Sequence, residues 1–182
     1  MLRKGSLFFA TLLCILPVRL IHAEVADSAP GGFTVKHELQ LSASAEAVYR
    51  AIVKDVGLWW DPAHTFSQNS GNLYIEARPN GCFCERLGKE AGVRHLEVVF
   101  AQPGKRLRLS GGLGPLQAMA LTGSMDWELT TSGNGTRLDF YYRVGGYYPA
   151  GLDKLAPAVD GVLNGQLQRL KGYIEKGTGS AK

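Results

Sequence analysis

Hydrophobic and polar residues alternate strictly from Phe33, with Phe33, Val35, His37, Leu39 and Leu41 on one face and Thr34, Lys36, Glu38 and Gln40 on the other. A period of two predicts a strand with one buried side. The period then changes. In SASAEAVYRAIV, Ser44 is placed to cap a helix whose Val48, Ile52 and Val53 recur at helical spacing. Asp55 opens a second short helical turn carrying Gly57, Leu58, Trp59 and Trp60, and Pro62 closes it. Turn-bounded extended runs follow at 73–77, 82–87, 93–101, 106–110, 119–130 and 136–144, most of them joined by Gly or Asn turns. The cleanest run puts Met119, Leu121, Gly123, Met125, Trp127 and Leu129 on one face, and SGNG at 132–135 turns it back into Leu138, Phe140, Tyr142 and Val144. Connections this short favour antiparallel neighbours over parallel crossovers.

From Leu155 to Ile174 the spacing is helical again, with Leu155, Val159, Val162, Leu163, Leu170 and Tyr173 on one stripe. Pro157 is acceptable only in or near the first turn of that helix. Gly161, Gly165 and Gly172 fall on one flank of it. Each costs about 1 kcal/mol against Ala inside a helix, so either another backbone approaches closely there or the weakness is simply tolerated. The pattern predicts an α+β domain: about seven antiparallel strands, two short helices after the first strand, and a long C-terminal helix.

That order of elements resembles the helix-grip fold of the START-like SRPBCC superfamily, specifically its branch named after homology to the activator of the heat-shock-protein-90 ATPase. The resemblance spans about Phe33 to Glu175 and is carried by Ala-Glu-Ala-Val-Tyr-Arg-Ala-Ile at 45–52, Trp59-Trp60, NGCFCE at 80–85, the strand pair from Val93 to Gly112, and the terminal VDGVLNGQLQRLKGYIE. None of these stretches is a catalytic signature. The resemblance implies a curved antiparallel sheet gripping the long helix, with a cavity between them that in relatives takes apolar small molecules such as lipids, sterols or polyketides. It also bears on the paired tryptophans. Adjacent side chains on a helical turn diverge by about 100°, so one tryptophan can plug the core while the other stands at the rim of the cavity. The alternative is that both cover the sheet edge.

The chain begins MLRKGSLFFATLLCILPVRLIHA, which reads as a secretion signal over residues 1–23. Its apolar run, Leu7 to Val18, falls short of the roughly 20 residues a membrane-spanning helix needs. A lipoprotein signal centred on Cys14 is disfavoured by the bulky Leu13 before it. Without Arg3, Lys4 and Arg19, the 20 basic residues become 17 against 16 acidic ones. The mature chain is then near neutral, which gives no support to nucleic acid or an anionic membrane as partner. The expected organisation is a flexible tail over 24–32, one domain over 33–176 and a second tail over 177–182, with export to the periplasm or to the medium.

Cys82 and Cys84 remain after processing, in what would be an oxidising compartment. Two residues apart on a regular strand, their α-carbons stand roughly 6.5 to 7 Å apart, at or beyond the limit for an unstrained bridge. Two buried thiols are therefore expected. A disulfide would need a bulge or tight turn, which Asn80-Gly81 could supply.

No Ser sits in an elbow such as G-x-S-x-G. His37, His64 and His95 lie on separate segments without paired ligand spacing, so neither a metal nor a cofactor is expected. Polar residues on inward faces are more informative, because a buried polar group needs a partner that a guest molecule can supply. His37 interrupts an apolar strand face, Gln166 lies inside the helical stripe, and Tyr142 points inward; each could instead be satisfied by backbone or buried water. His95 and Glu97 fall on the face opposite Leu96 and Val98, where a solvent-side pair is expected. The candidate ligand-binding residues are His37, Trp59, Trp60, Met119, Met125, Trp127, Tyr142 and Gln166. The expected function is the binding of a small apolar or amphipathic molecule. An enzyme acting in the same cavity would need a titratable group there, and His37 is the one offered. A chaperone-linked module is suggested by the family name alone, and export argues against it.

Overall fold

The computed structural model describes residues 24–179; the expected secretion signal at 1–23 and the last three residues lie outside them. The described chain runs β1 (Glu24–Ala29), β2 (Gly32–Leu41), α1 (Ala45–Lys54), α2 (Val56–Trp59), β3 (Leu73–Ile75), β4 (Cys82–Arg86), β5 (Gly92–Gln102), β6 (Arg106–Ser110), α3 (Pro115–Ala118), β7 (Thr122–Ser132), β8 (Gly135–Gly145) and α4 (Ala156–Gly179). The eight strands form one antiparallel sheet in the order β1-β2-β8-β7-β6-β5-β4-β3. From β3 the chain meanders strand by strand back to β2, and α4 then crosses the concave face of the curved sheet. This is the helix-grip arrangement expected from the sequence.

The local signals act as their chemistry dictates. Ser44 Oγ caps α1 by accepting from Ala47 N at 3.3 Å. Alternation in β2 buries Phe33, Val35, His37, Leu39 and Leu41. Under α1 and α2, Trp127 packs edge-on to Phe140 at 4.7 Å and to Trp59 at 6.5 Å, filling one end of the interior. Leu167, Leu170 and Ile174 of α4 complete that core.

Four expectations are corrected. Residues Glu24–Ala29 are not a tail but the strand β1, paired with β2 from Glu24↔Lys36 to Ala29↔Gly32. Pro30 and Gly31 make the hairpin turn, and Pro30 O accepts from Leu152 N at 2.9 Å, which ties the hairpin to the entry of α4. At the other end, α4 continues to Gly179, beyond the expected domain end at 176. Met119 leaves the strand on which alternation placed it, because α3 and Ala120, whose φ is 56°, intervene before β7. Finally, Cys82 and Cys84 are disulfide-bonded, with α-carbons only 5.5 Å apart. The β4–β5 ladder shifts register between Phe83 and Cys84, so this stretch is not the regular strand on which the two-thiol expectation rests.

The α4 glycines also resolve. A Cβ added at Gly161, Gly165 or Gly172 would have nothing within 4 Å, so no second backbone approaches there and these residues are tolerated weaknesses. Gly123 differs: its Cβ would lie 2.4 Å from Arg143 O and 2.9 Å from the Tyr142 ring. Only glycine leaves room for Tyr142 beside it.

Candidate functional site

The interior is not filled from end to end. Between the N-terminal half of α4 and the β3–β5 side of the sheet lies a cavity of about 360 Å³. Leu155, just before α4, and Val159, Val162 and Leu163 of α4 form one wall, Phe83 and His95 of the sheet form another, and Leu113, Leu116 and Met119 close a third side. The segment Trp60 to Phe66 makes the rim. Among the described residues no Lys, Arg, Asp or Glu lines this space.

Trp60 is placed by the backbone on either side of it. Gln166 Oε1 accepts from Asp61 N at 2.8 Å, and Arg169 Nε donates to Trp59 O at 2.9 Å. Two residues of α4, three apart and therefore on one face, hold the peptides flanking Trp60. Its indole N–H donates to His64 O at 3.1 Å, and its ring packs edge-on to Phe83 at 5.3 Å. Trp59 turns the other way, donating to Ala51 O at 2.9 Å inside the core. One tryptophan plugs the core and its neighbour faces the cavity.

Next to the cavity sits a buried acid and imidazole. Glu85, 1% exposed, accepts from Ser67 N at 2.5 Å through Oε1, and from Phe66 N and His95 Nε2, each at 3.1 Å, through Oε2. Burial alone would raise its pKa, but the hydrogen bonds from Ser67, Phe66 and His95 outweigh burial and hold the carboxyl below its ordinary value. Burial pushes His95 below its ordinary value, and Glu85 opposes that shift only in part. An ionised carboxylate can only accept, so the neutral imidazole carries its proton on Nε2. Its Nδ1 is buried and has no hydrogen-bond partner among the described residues. Phe66, 55% exposed, stacks on the imidazole at 5.8 Å.

This pair was missed in the sequence, and His95 was expected on the solvent side with Glu97. The register explains why. Leu96 pairs with Phe83 and Arg94 with Cys84, leaving His95 as an extra residue in a bulge, buried along with Leu96. Alternation fails at a bulge. Glu85 was more legible, since it shares the parity of Phe83 on β4.

Of the residues selected from sequence, Trp60 and Met119 line the cavity. Trp59, Met125 and Trp127 are buried in the core outside its lining. Tyr142 is buried behind the wall, its hydroxyl donating to Gly111 O and accepting from Leu113 N, both at 2.9 Å. It therefore braces the loop that carries Leu113 and Leu116, and burial pushes its phenol up to about 12. Gln166 Oε1 is taken up by Asp61 N, and Gln166 does not line the cavity. His37 Nε2 faces Asp160 Oδ1 of α4 at 2.8 Å and does not border the cavity. Among the described residues no group of His, Cys, Asp and Glu could hold a metal ion, and no helix is long and apolar enough to cross a membrane.

No protein-family model matches the chain, and no curated protein matches its sequence. Solved structures do match its shape. The Aha1 dimer from Colwellia psychrerythraea is similar at 19% identity and a TM-score of 0.54, over 78% of this chain and 96% of that one. Ara h 8.0201 is similar at 15% identity and a TM-score of 0.57, over 80% and 99%. A protein from Rhizobium leguminosarum gives 17% identity and a TM-score of 0.57, over 80% and 95%. At these identities the likeness is one of fold.

Proposed function

We propose that this chain is an exported binding domain that holds one small apolar or amphipathic molecule beneath the N-terminal half of α4. The observation that carries this reading is the cavity of about 360 Å³, whose walls are aliphatic and aromatic and carry no charged side chain. Each 100 Å² of guest surface buried there contributes about 2.5 kcal/mol, set against the cost of immobilising the guest. Because that driving force is not coulombic, binding persists in high salt. Export is favoured by the leader-like residues 1–23, and a Cys82–Cys84 bridge suits an oxidising compartment.

The test is a titration with para-tert-butyltoluene under tryptophan-selective excitation. Trp60 borders the site, so emission changes saturably in both low and high salt, and the change is lost in Trp60→Phe. A flat titration contradicts the reading. A second reading, acid–base catalysis on a hydrophobic substrate, is favoured by the Glu85–His95 pair beside the cavity. It requires turnover that disappears in His95→Phe; His37, the sequence candidate for that role, faces Asp160 instead.

A further inference from the structure

The geometry points to His95 Nδ1 as the acceptor for a hydrogen-bond donor on the guest: the ligand is a neutral apolar body bearing a hydroxyl or N–H group, neither a bare hydrocarbon nor a carboxylate. This rests on the binding reading above and narrows it to a chemical class.

Glu85 sets the protonation pattern. Its two oxygens already take three donors from Phe66, Ser67 and His95, which fixes it as an acceptor and fixes the His95 proton on Nε2. Nδ1 therefore presents a lone pair. In a residue only 5% exposed, that lone pair has no partner among the described residues, although buried acceptors are nearly always paired. Two other polar side chains of the lining are committed elsewhere: Thr65 Oγ1 donates to Pro62 O at 2.8 Å, and Trp60 Nε1 to His64 O at 3.1 Å. His64, exposed at the rim, is the other imidazole of the lining. An anionic guest would meet the Glu85 charge behind His95 with no Lys or Arg in the lining to offset it. A neutral donor meets only the lone pair. Phe66, half out in solvent, stacks on one face of the imidazole and leaves the plane of the ring, where the Nδ1 lone pair lies, to the guest's donor.

One rival partner is visible. His95 also borders a polar groove of about 330 Å³ lined by Arg94, Glu97, Ser110 and Gln117, from which water could reach the ring.

Calorimetric titration of the full mature chain with para-tert-butylphenol, para-tert-butyltoluene and para-tert-butylbenzoate separates these outcomes. The phenol binds the wild type at least about tenfold more tightly than the benzoate, and His95→Phe shifts the phenol-to-toluene affinity ratio toward toluene by about tenfold or more. If the ratio moves less than about twofold while toluene still binds, this inference is overturned and the binding reading stands. If none of the three probes binds, both fall. Should His95→Phe not fold, nitrogen NMR of the wild-type imidazole decides. The inference expects an unprotonated Nδ1 whose resonance shifts with the phenol and not with the toluene. A protonated Nδ1, or one indifferent to both probes because water already holds it, overturns it.

Discussion

Replacing Glu85 by Gln changes one oxygen to an amide and leaves the shape intact. Ser67 N donates to Oε1 at 2.5 Å, while Phe66 N and His95 Nε2 share Oε2. Whichever way the new amide turns, its N–H₂ faces at least one buried donor, and the remaining hydrogen bonds lose their charge assistance. One unpaired buried donor costs about 1–3 kcal/mol, and charge-assisted bonds are roughly twice as strong as neutral ones. Together the loss is about 2–4 kcal/mol. At about 2–4 °C per kcal/mol for a domain of this size, Tm falls by roughly 4–16 °C at neutral pH. The pH dependence carries the sharper signature. Glu85 titrates below its ordinary value of 4.5 in the folded chain. Its contribution to stability is therefore present above that ordinary value and is lost as pH falls through the depressed folded value. Glu85→Gln has no such component, so the gap between the two proteins is widest near neutrality and narrows in acid. Thermal melts of both proteins across a pH series measure it. A gap under about 0.5 kcal/mol at neutral pH, or one that does not narrow, refutes the account of Glu85 as an ionised hub.

Gly165 lies in the interior of α4 with open space around it, so Gly165→Ala stabilises by about 1 kcal/mol, raising Tm by about 2–4 °C; a fall in Tm would mean that something does pack there. Tyr142→Phe removes a hydroxyl that donates to Gly111 O and leaves Leu113 N unpaired, a loss of about 1–3 kcal/mol by denaturant melts. In the parent protein one phenol ionises only near pH 12 by ultraviolet titration, and that step vanishes in the variant. Alkylation of residues 24–182 in denaturant labels no cysteine until a reductant is added. Because the Cys82–Cys84 loop is so short, Cys82→Ser with Cys84→Ser costs no more than about 2 kcal/mol.

The architecture was legible where the chain repeats a simple period. β2, β7 and β8 follow from alternation, α1 from Ser44 and its spacing, and α4 from its stripe. β1 was not legible, because ADSAPGG is polar and turn-rich and gains order only by pairing with β2. The site was legible in part for a related reason. Trp60 can be placed from helical geometry, since neighbours on a turn must diverge. His95 cannot, because the β5 bulge breaks the parity that sequence reading depends on. Gln166 stood out as a polar residue on an apolar stripe, yet what it does, holding Asp61 N, depends on a partner 105 residues away. His37 was conspicuous for the same reason and faces α4 instead of the cavity.

The central claim is that the space beneath the first half of α4 is where a guest sits. Val162 lines that space without being fully buried, so Val162→Trp fills it from the helix side with little strain on the sheet. Calorimetric titration of this variant with para-tert-butyltoluene measures the claim most directly. The account predicts that the wild type binds one equivalent and that Val162→Trp loses at least about tenfold in affinity while its Tm is held or raised. Undiminished binding by the filled variant, or no binding by the wild type, would contradict it.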